Sequence, residues 1–147
     1  MDYFTGKSRL KQVFLAFIVN TIISMVITLP LFTKAINDAN LPFIYSFIMF
    51  FSNAIWLNII ISLLPIFFSL TFIPEWLFKF FTIVSFTFIQ SFLVADVKIF
   101  NYFKFHINAI VINFLTTEGA GDSLKLGTST ILFFTVIIFI IILIQIF

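Results

Sequence analysis

Apolar residues fill this chain in four long, almost charge-free runs separated by short polar links. The first run predicts a helix over 13–32, with Pro30 near its far end, where a helix tolerates it. A hydrophilic link at 34–40, rich in turn formers, follows it. No charged residue stands between Ala39 and Pro74, a stretch of 36 residues and too long for one crossing. The second helix is expected over 43–70, tilted or bent at Pro65. A break at 73–76 separates it from a third helix over 77–95. Pro74 stands at a helix start, which proline accepts, and Trp76 reads as an interfacial anchor. The fourth run covers 128–147, and between Ile131 and Phe147 only Thr135 and Gln145 are polar. Seventeen residues rise roughly 26 Å, just under the ~30 Å hydrocarbon core. A last membrane helix ordinarily exits into polar or basic residues. None follows here, so we expect the chain to be the membrane portion of a longer protein.

The stretch 97–115 differs in kind. At 100° per residue, Ile99, Phe100, Phe103, Ile107, Ile110, Val111 and Phe114 share one face. Lys98, Asn101, Tyr102, Lys104, His106, Asn108 and Asn113 occupy the rest, with Phe105, Ile112 and Leu115 as exceptions. One apolar stripe opposite a polar, partly basic face predicts a helix lying in the membrane interface. The expected fold is therefore an all-α membrane protein, with four transmembrane helices plus one interfacial amphipathic helix.

Composition strengthens that reading. Hydrophobic residues make up 62% of the chain and charged residues 10%, against about 25% charged in soluble domains. Mean hydropathy is +1.22. The 15 apolar residues of the last run favour insertion by a sum on the order of 6 kcal/mol. A cleaved signal is the competing reading of the N-terminus. The run at 12–33 is longer than a typical signal core, however, and lacks a small-residue cleavage site. The net charge of +2, with scattered lysines, gives no nucleic-acid footprint. With no cysteine, disulfides and thiolate chemistry are excluded. Lys7, Arg9 and Lys11 favour a cytoplasmic N-terminus. Lys79 would then be inside as well, and Lys34, Lys98, Lys104 and Lys125 outside. The two counts tie, and the N-terminal cluster decides.

The densest polar set is Asp96, Lys98, Asn101, Tyr102, Lys104, His106, Asn108 and Asn113. Lysine supplies positive charge for a phosphate, while histidine and asparagine supply directional hydrogen bonds. Lys98, Lys104, His106 and Asn108 are thus the expected contacts for a lipid headgroup, with Asp96, Tyr102 and Asn113 as structural polar residues. The plainer reading is that they solvate the polar face of an interfacial helix while lysine snorkels. Asn20, Asn53, Asn58 and Gln90 lie within the runs and are expected to bond between helices. One histidine with scattered acids offers no metal-ligand spacing, no serine sits in a nucleophile elbow, and no phosphate loop is present. The residues predict no catalytic residue, no metal and no cofactor in this chain. A small multi-pass transporter or channel subunit, lined by Asn53, Asn58 and Gln90, is the alternative function. A structural assembly partner among other membrane proteins is a third.

From Leu63 onward the chain resembles the membrane domain of the bacterial inner-membrane sulfatase-like family of the YejM/PbgA type. The likeness begins in the apolar run at 63–73. It is strongest at 96–111, where Asp96, the aromatics Phe100 and Phe103, His106 with Asn108, and Ile110 with Val111 keep the family's order. It covers roughly the last 85 residues, and the first 60 only by helix count. The resemblance implies five transmembrane helices, a cytoplasmic N-terminus and a large periplasmic domain of alkaline-phosphatase type, in which a divalent metal would belong. It places the amphipathic segment on the periplasmic face of the inner membrane. Relatives include lipoteichoic acid synthases and phosphoethanolamine transferases, and the type itself is linked to cardiolipin or lipopolysaccharide and to outer-membrane lipid supply. The implied role is a membrane-anchoring, lipid-interacting domain, with anionic phospholipid or lipopolysaccharide as partner. The fifth helix, the periplasmic domain and the basic linker have no counterpart in these 147 residues, so no catalytic residue carries over.

Overall fold

The computed structural model describes residues 3–38, 42–104, 106, 107, 113 and 128–146. Among them are four helices and no strand: α1 (Tyr3–Asp38), α2 (Phe43–Ser69), α3 (Glu75–Phe103) and α4 (Thr128–Ile146). Three are long and apolar enough to cross a membrane, through Lys7–Asn37, Phe43–Ser69 and Glu75–Asn101. This chain is a helical membrane protein in that sense, with three such helices shown where four crossings were expected. α2 starts and stops within a residue of the sequence expectation.

The interior runs opposite to that of a soluble bundle. The buried residues of α2 are Ser46, Ala54, Asn58, Ser62, Pro65 and Ser69. Its large side chains, among them Phe43, Ile44, Phe47, Ile48, Trp56, Ile60 and Phe67, are exposed. In lipid, outward apolar groups cost nothing, and small inward residues let helix backbones approach closely. Bulky side chains are buried mainly on α3, at Phe78, Phe86, Leu93 and Val94, and aromatic rings also meet between helices. Phe32 of α1 meets Phe43, Phe47 and Phe50 of α2, and Phe68 of α2 stacks on Phe81 of α3 at 4.2 Å between ring centroids.

Arg9 of α1 closes one end of the bundle. Its guanidinium donates to Glu75 Oε2 (3.0 Å) and to the carbonyls of Thr71 (3.4 Å) and Ile73 (2.8 Å), and lies over the Phe78 ring. Those carbonyls belong to the turn between α2 and α3, where the chain leaves one helix without continuing its hydrogen bonds. Arginine's planar fork of donors suits such a site. Pro74 then opens α3, its carbonyl accepting from the amides of Leu77 and Phe78 at 3.1 Å each.

Residues Asn20, Thr21, Ser24, Asn58, Ser62, Ser85 and Gln90 form a buried polar seam between the helices. Gln90 Nε2 donates to Ser24 Oγ (3.0 Å) and to the Asn20 carbonyl (3.0 Å), and Asn58 Nδ2 donates to Ser24 Oγ (2.8 Å). Asn20 and Gln145 exchange amide hydrogen bonds. Each of the four helices contributes to this network. Asn53, by contrast, is exposed on the outer side of α2.

Two sequence expectations change. Helix three does not stop at Ala95: it runs on to Phe103, so the first turns of the expected interfacial helix, 97–103, belong to α3. A single aspartate at position 96 does not end a helix whose backbone bonds can continue. The expected helix over 97–115 is broken at Lys104: Lys104, His106 and Ile107 are non-helical, and Phe105, Asn108 and most of 109–115 lie outside the described residues. The fourth helix, expected to cross over 128–147, runs antiparallel to α3, with Phe133 beside Lys98 and Gln145 beside Asn20. Asn20 is about 16 Å along α1 from Arg9 and Lys34 about 38 Å. The described residues of α4 thus pack along the half of the bundle nearest Lys34.

Candidate functional site: a cationic end built around Phe100

At the end of the bundle opposite Arg9, α1 and α3 bring their polar termini together. Lys34 Nζ donates to Asn101 Oδ1 at 2.6 Å and stands 5.8 Å from the centre of the Phe100 ring. Lys98, one turn earlier on α3, places its Nζ 4.0 Å from the Phe133 ring centre of α4. A cation over an aromatic face keeps its charge while its stem stays in apolar surroundings.

Beyond Phe103 the chain turns back. Lys104 closes α3 in the left-handed region at φ 65°, its amide donating to the Phe100 carbonyl at 2.9 Å. Glycine or asparagine is usual there, because a side chain at Cβ costs energy in that conformation. The reversal lays His106 on Phe100, with centroids 4.6 Å apart and planes 24° from parallel. It also brings His106 Nδ1 within 2.7 Å of Asp96 Oδ2, while the Ile107 amide donates to Asp96 Oδ1 at 2.6 Å. Both carboxylate oxygens are occupied by the returning strand. Asp96 is largely buried, with a side chain 15% exposed, whereas His106 is 56% exposed. The outcome is a platform, the Phe100–His106 stack, with Lys34 beside Phe100, while Lys98 lies against α4 and Lys104 is exposed at the end of α3. Among the described residues no three His, Asp or Glu gather as metal ligands.

Of the four expected headgroup contacts, Lys98, Lys104 and His106 thus stand at one end of the bundle, and Asn108 lies outside the described residues. Asp96, expected as a structural polar residue, accepts from His106 and Ile107. Tyr102 lies in α3, although its side chain is outside the described part, and Asn113 is exposed. Lys34, Phe100 and Asn101 were not expected as site residues. The signal for Lys34 was present, since two crossings return the end of α1 to the side where α3 ends. Phe100 was marked only as part of the family's aromatic pair and the apolar stripe, and no site role followed from either.

Of the residues expected to line a transport path, Asn53 is exposed on the outer side of α2. Asn58 and Gln90 are fully buried and bonded across helices, and a groove on the outer wall of α2 is apolar, lined by Phe47, Ile48, Phe51, Ser52, Ile55 and Trp56.

Over residues 7–147 the chain matches the family described as Domain of unknown function (DUF3413). No curated protein and no solved structure matches it.

Proposed function

This chain belongs to the DUF3413 family, and on that premise we propose that it is a membrane-anchoring, lipid-interacting domain of a sulfatase-like envelope protein. Its role in this reading is to hold anionic phospholipid or lipopolysaccharide headgroups at the membrane boundary. It would thereby serve envelope lipid homeostasis or phospholipid-headgroup transfer by a partner domain. The resemblance at 63–111 supports the sulfatase-like kinship, the bacterial inner membrane and the cytoplasmic N-terminus. The Lys34, Lys98 and Lys104 end then faces the periplasm, and α4 is the start of a fourth crossing.

The observation that carries the proposal is the cationic platform. Lys34, Lys98 and Lys104 stand at one bundle end, where the carboxylate of Asp96 is already taken by His106 and Ile107. Lys98, over the Phe133 ring, and the exposed Lys104 offer a phosphate positive charge at that end. A lysine near an anionic lipid surface contributes about 1 kcal/mol, and salt weakens that contribution. The test is native mass spectrometry of the detergent-solubilised chain with short-chain phosphatidylglycerol against phosphatidylcholine. Phosphatidylglycerol is expected to bind more tightly, and the preference should fall about tenfold or more in a Lys98→Ala/Lys104→Ala double variant. Unchanged phosphatidylglycerol affinity and salt dependence in that variant would refute the proposal.

A further inference from the structure

The Asp96–His106 pair makes a demand on a ligand that the lysines do not. An ionised carboxylate only accepts hydrogen bonds, so at 2.7 Å from Asp96 Oδ2 it is His106 Nδ1 that carries the proton. In the neutral ring this leaves Nε2 with a lone pair, and the partner of one imidazole nitrogen sets the role of the other. The ring cannot easily exchange those roles. Phe100 stacks against its face and the Ile107 amide holds the other carboxylate oxygen, so the imidazole is gripped from two directions. The ring is more than half exposed at the bundle end where the lysines stand. A lone-pair acceptor at a bundle end that carries lysines calls for a ligand that combines a negative group with a hydrogen-bond donor.

We propose that His106 Nε2 accepts a hydrogen bond from a hydroxyl of a polyol phosphodiester headgroup, whose phosphate the lysines hold. Asp96 is the positioning residue that fixes the tautomer. The inference rests on the lipid reading above and narrows it from anionic lipids at large to hydroxylated ones.

Two lipids of equal charge separate the two ideas. Phosphatidylglycerol carries free hydroxyls, and phosphatidylmethanol is an anionic phosphodiester without one. One hydrogen bond corresponds to about a three- to tenfold difference in affinity, so the chain is expected to favour phosphatidylglycerol by that factor. His106→Phe keeps a ring to stack on Phe100 but removes both nitrogens, and should bring the ratio to about one. Lys98→Ala should weaken both lipids and leave the ratio alone. Equal wild-type affinity for the two lipids overturns the hydroxyl contact while the lysine reading stands. No preference of either lipid over phosphatidylcholine overturns both. Glycerol phosphate without acyl chains should show no saturable binding, and binding as tight as the lipid overturns the headgroup assignment.

A spectroscopic arm needs no variant. With one histidine in the chain, ¹⁵N-histidine NMR in nanodiscs reports this ring alone. Protonated Nδ1 and unprotonated Nε2 are expected, with Nε2 shifting on exchange of phosphatidylmethanol for phosphatidylglycerol. Asp96→Asn, which can donate to Nδ1, should move the proton toward Nε2 and abolish the lipid ratio. A wild-type ring protonated at Nε2 overturns the proposal.

Discussion

Asn20 of α1 and Gln145 of α4, 125 positions apart in the chain, face each other as a reciprocal amide pair: Asn20 Nδ2 donates to Gln145 Oε1 at 3.0 Å and Gln145 Nε2 donates back to Asn20 Oδ1. Asn20 Oδ1 and the Asn20 carbonyl also receive Gln90 Nε2 of α3, so one residue of α1 joins α3 and α4. In hydrocarbon these amides have no water to turn to, which gives the pairing directional force that dispersion between phenylalanines lacks.

Gln90 is the side chain on which most of this seam converges, because it bonds Ser24 through both amide atoms and Asn20 through Nε2. Gln90→Leu is expected to lower stability by about 1–3 kcal/mol, since Asn20 and Ser24 lose partners in a buried place. Steric-trap unfolding in bicelles measures it. Asn53→Leu, on the exposed side of α2, should change stability by less than about 0.5 kcal/mol in the same assay.

Arg9 ties the α2–α3 turn to α1 with hydrogen bonds that a lysine cannot reproduce together. Arg9→Lys is expected to behave nearly like Arg9→Ala, each costing on the order of 1–2 kcal/mol and opening the 70–74 turn to protease. Glu75→Gln should cost less, because Glu75 is about half exposed and its pair with Lys79 is a loose 3.8 Å contact. Thermal melting in detergent ranks the three variants. A fully stable Arg9→Lys would show that charge alone holds the turn.

Lys104 separates conformation from charge. Its φ of 65° favours glycine, so Lys104→Gly is expected to keep or raise stability by up to about 1 kcal/mol. Lys104→Val, with a β-branched side chain in the same conformation, should lower it. If both variants lose phosphatidylglycerol affinity equally while differing in melting temperature, the lysine acts on lipid through its charge.

The absence of native cysteine allows the topology to be read directly. Single cysteines at Lys11 and Lys79, near the Arg9 end, should label from one side of the membrane. Asn37→Cys and Lys104→Cys should label from the other. An impermeant maleimide on oriented vesicles makes the measurement. Labelling of Lys11→Cys and Asn37→Cys from the same side would contradict α1 as a crossing.

Much of the fold was legible in the chain because each crossing needs a long apolar run and polar or proline signals separate the runs here. α2 was placed within a residue between the polar link at 34–40 and the break at 73–76, and Pro74 marked the start of α3. Of the in-span amides expected to bond between helices, Asn20, Asn58 and Gln90 do so, because an unpaired amide in lipid is costly, whereas Asn53 is exposed on α2. The far end of α3 was misread. Asp96 looked like a stop because it interrupts an apolar run, and Lys104 bears no mark of a left-handed cap because lysine seldom takes that conformation.

By itself, then, the order of apolar and polar residues determined a helical membrane protein, three of its spans and the chemical character of its basic end, since hydropathy is a local property summed along the chain. Tertiary structure alone decided that Asp96 serves His106, that Phe100 carries that ring and borders Lys34, and that Gln145 reaches Asn20. Those pairings depend on a chain reversal at one left-handed residue and on the relative rotation of separate helices. Neither leaves a periodic trace in the sequence.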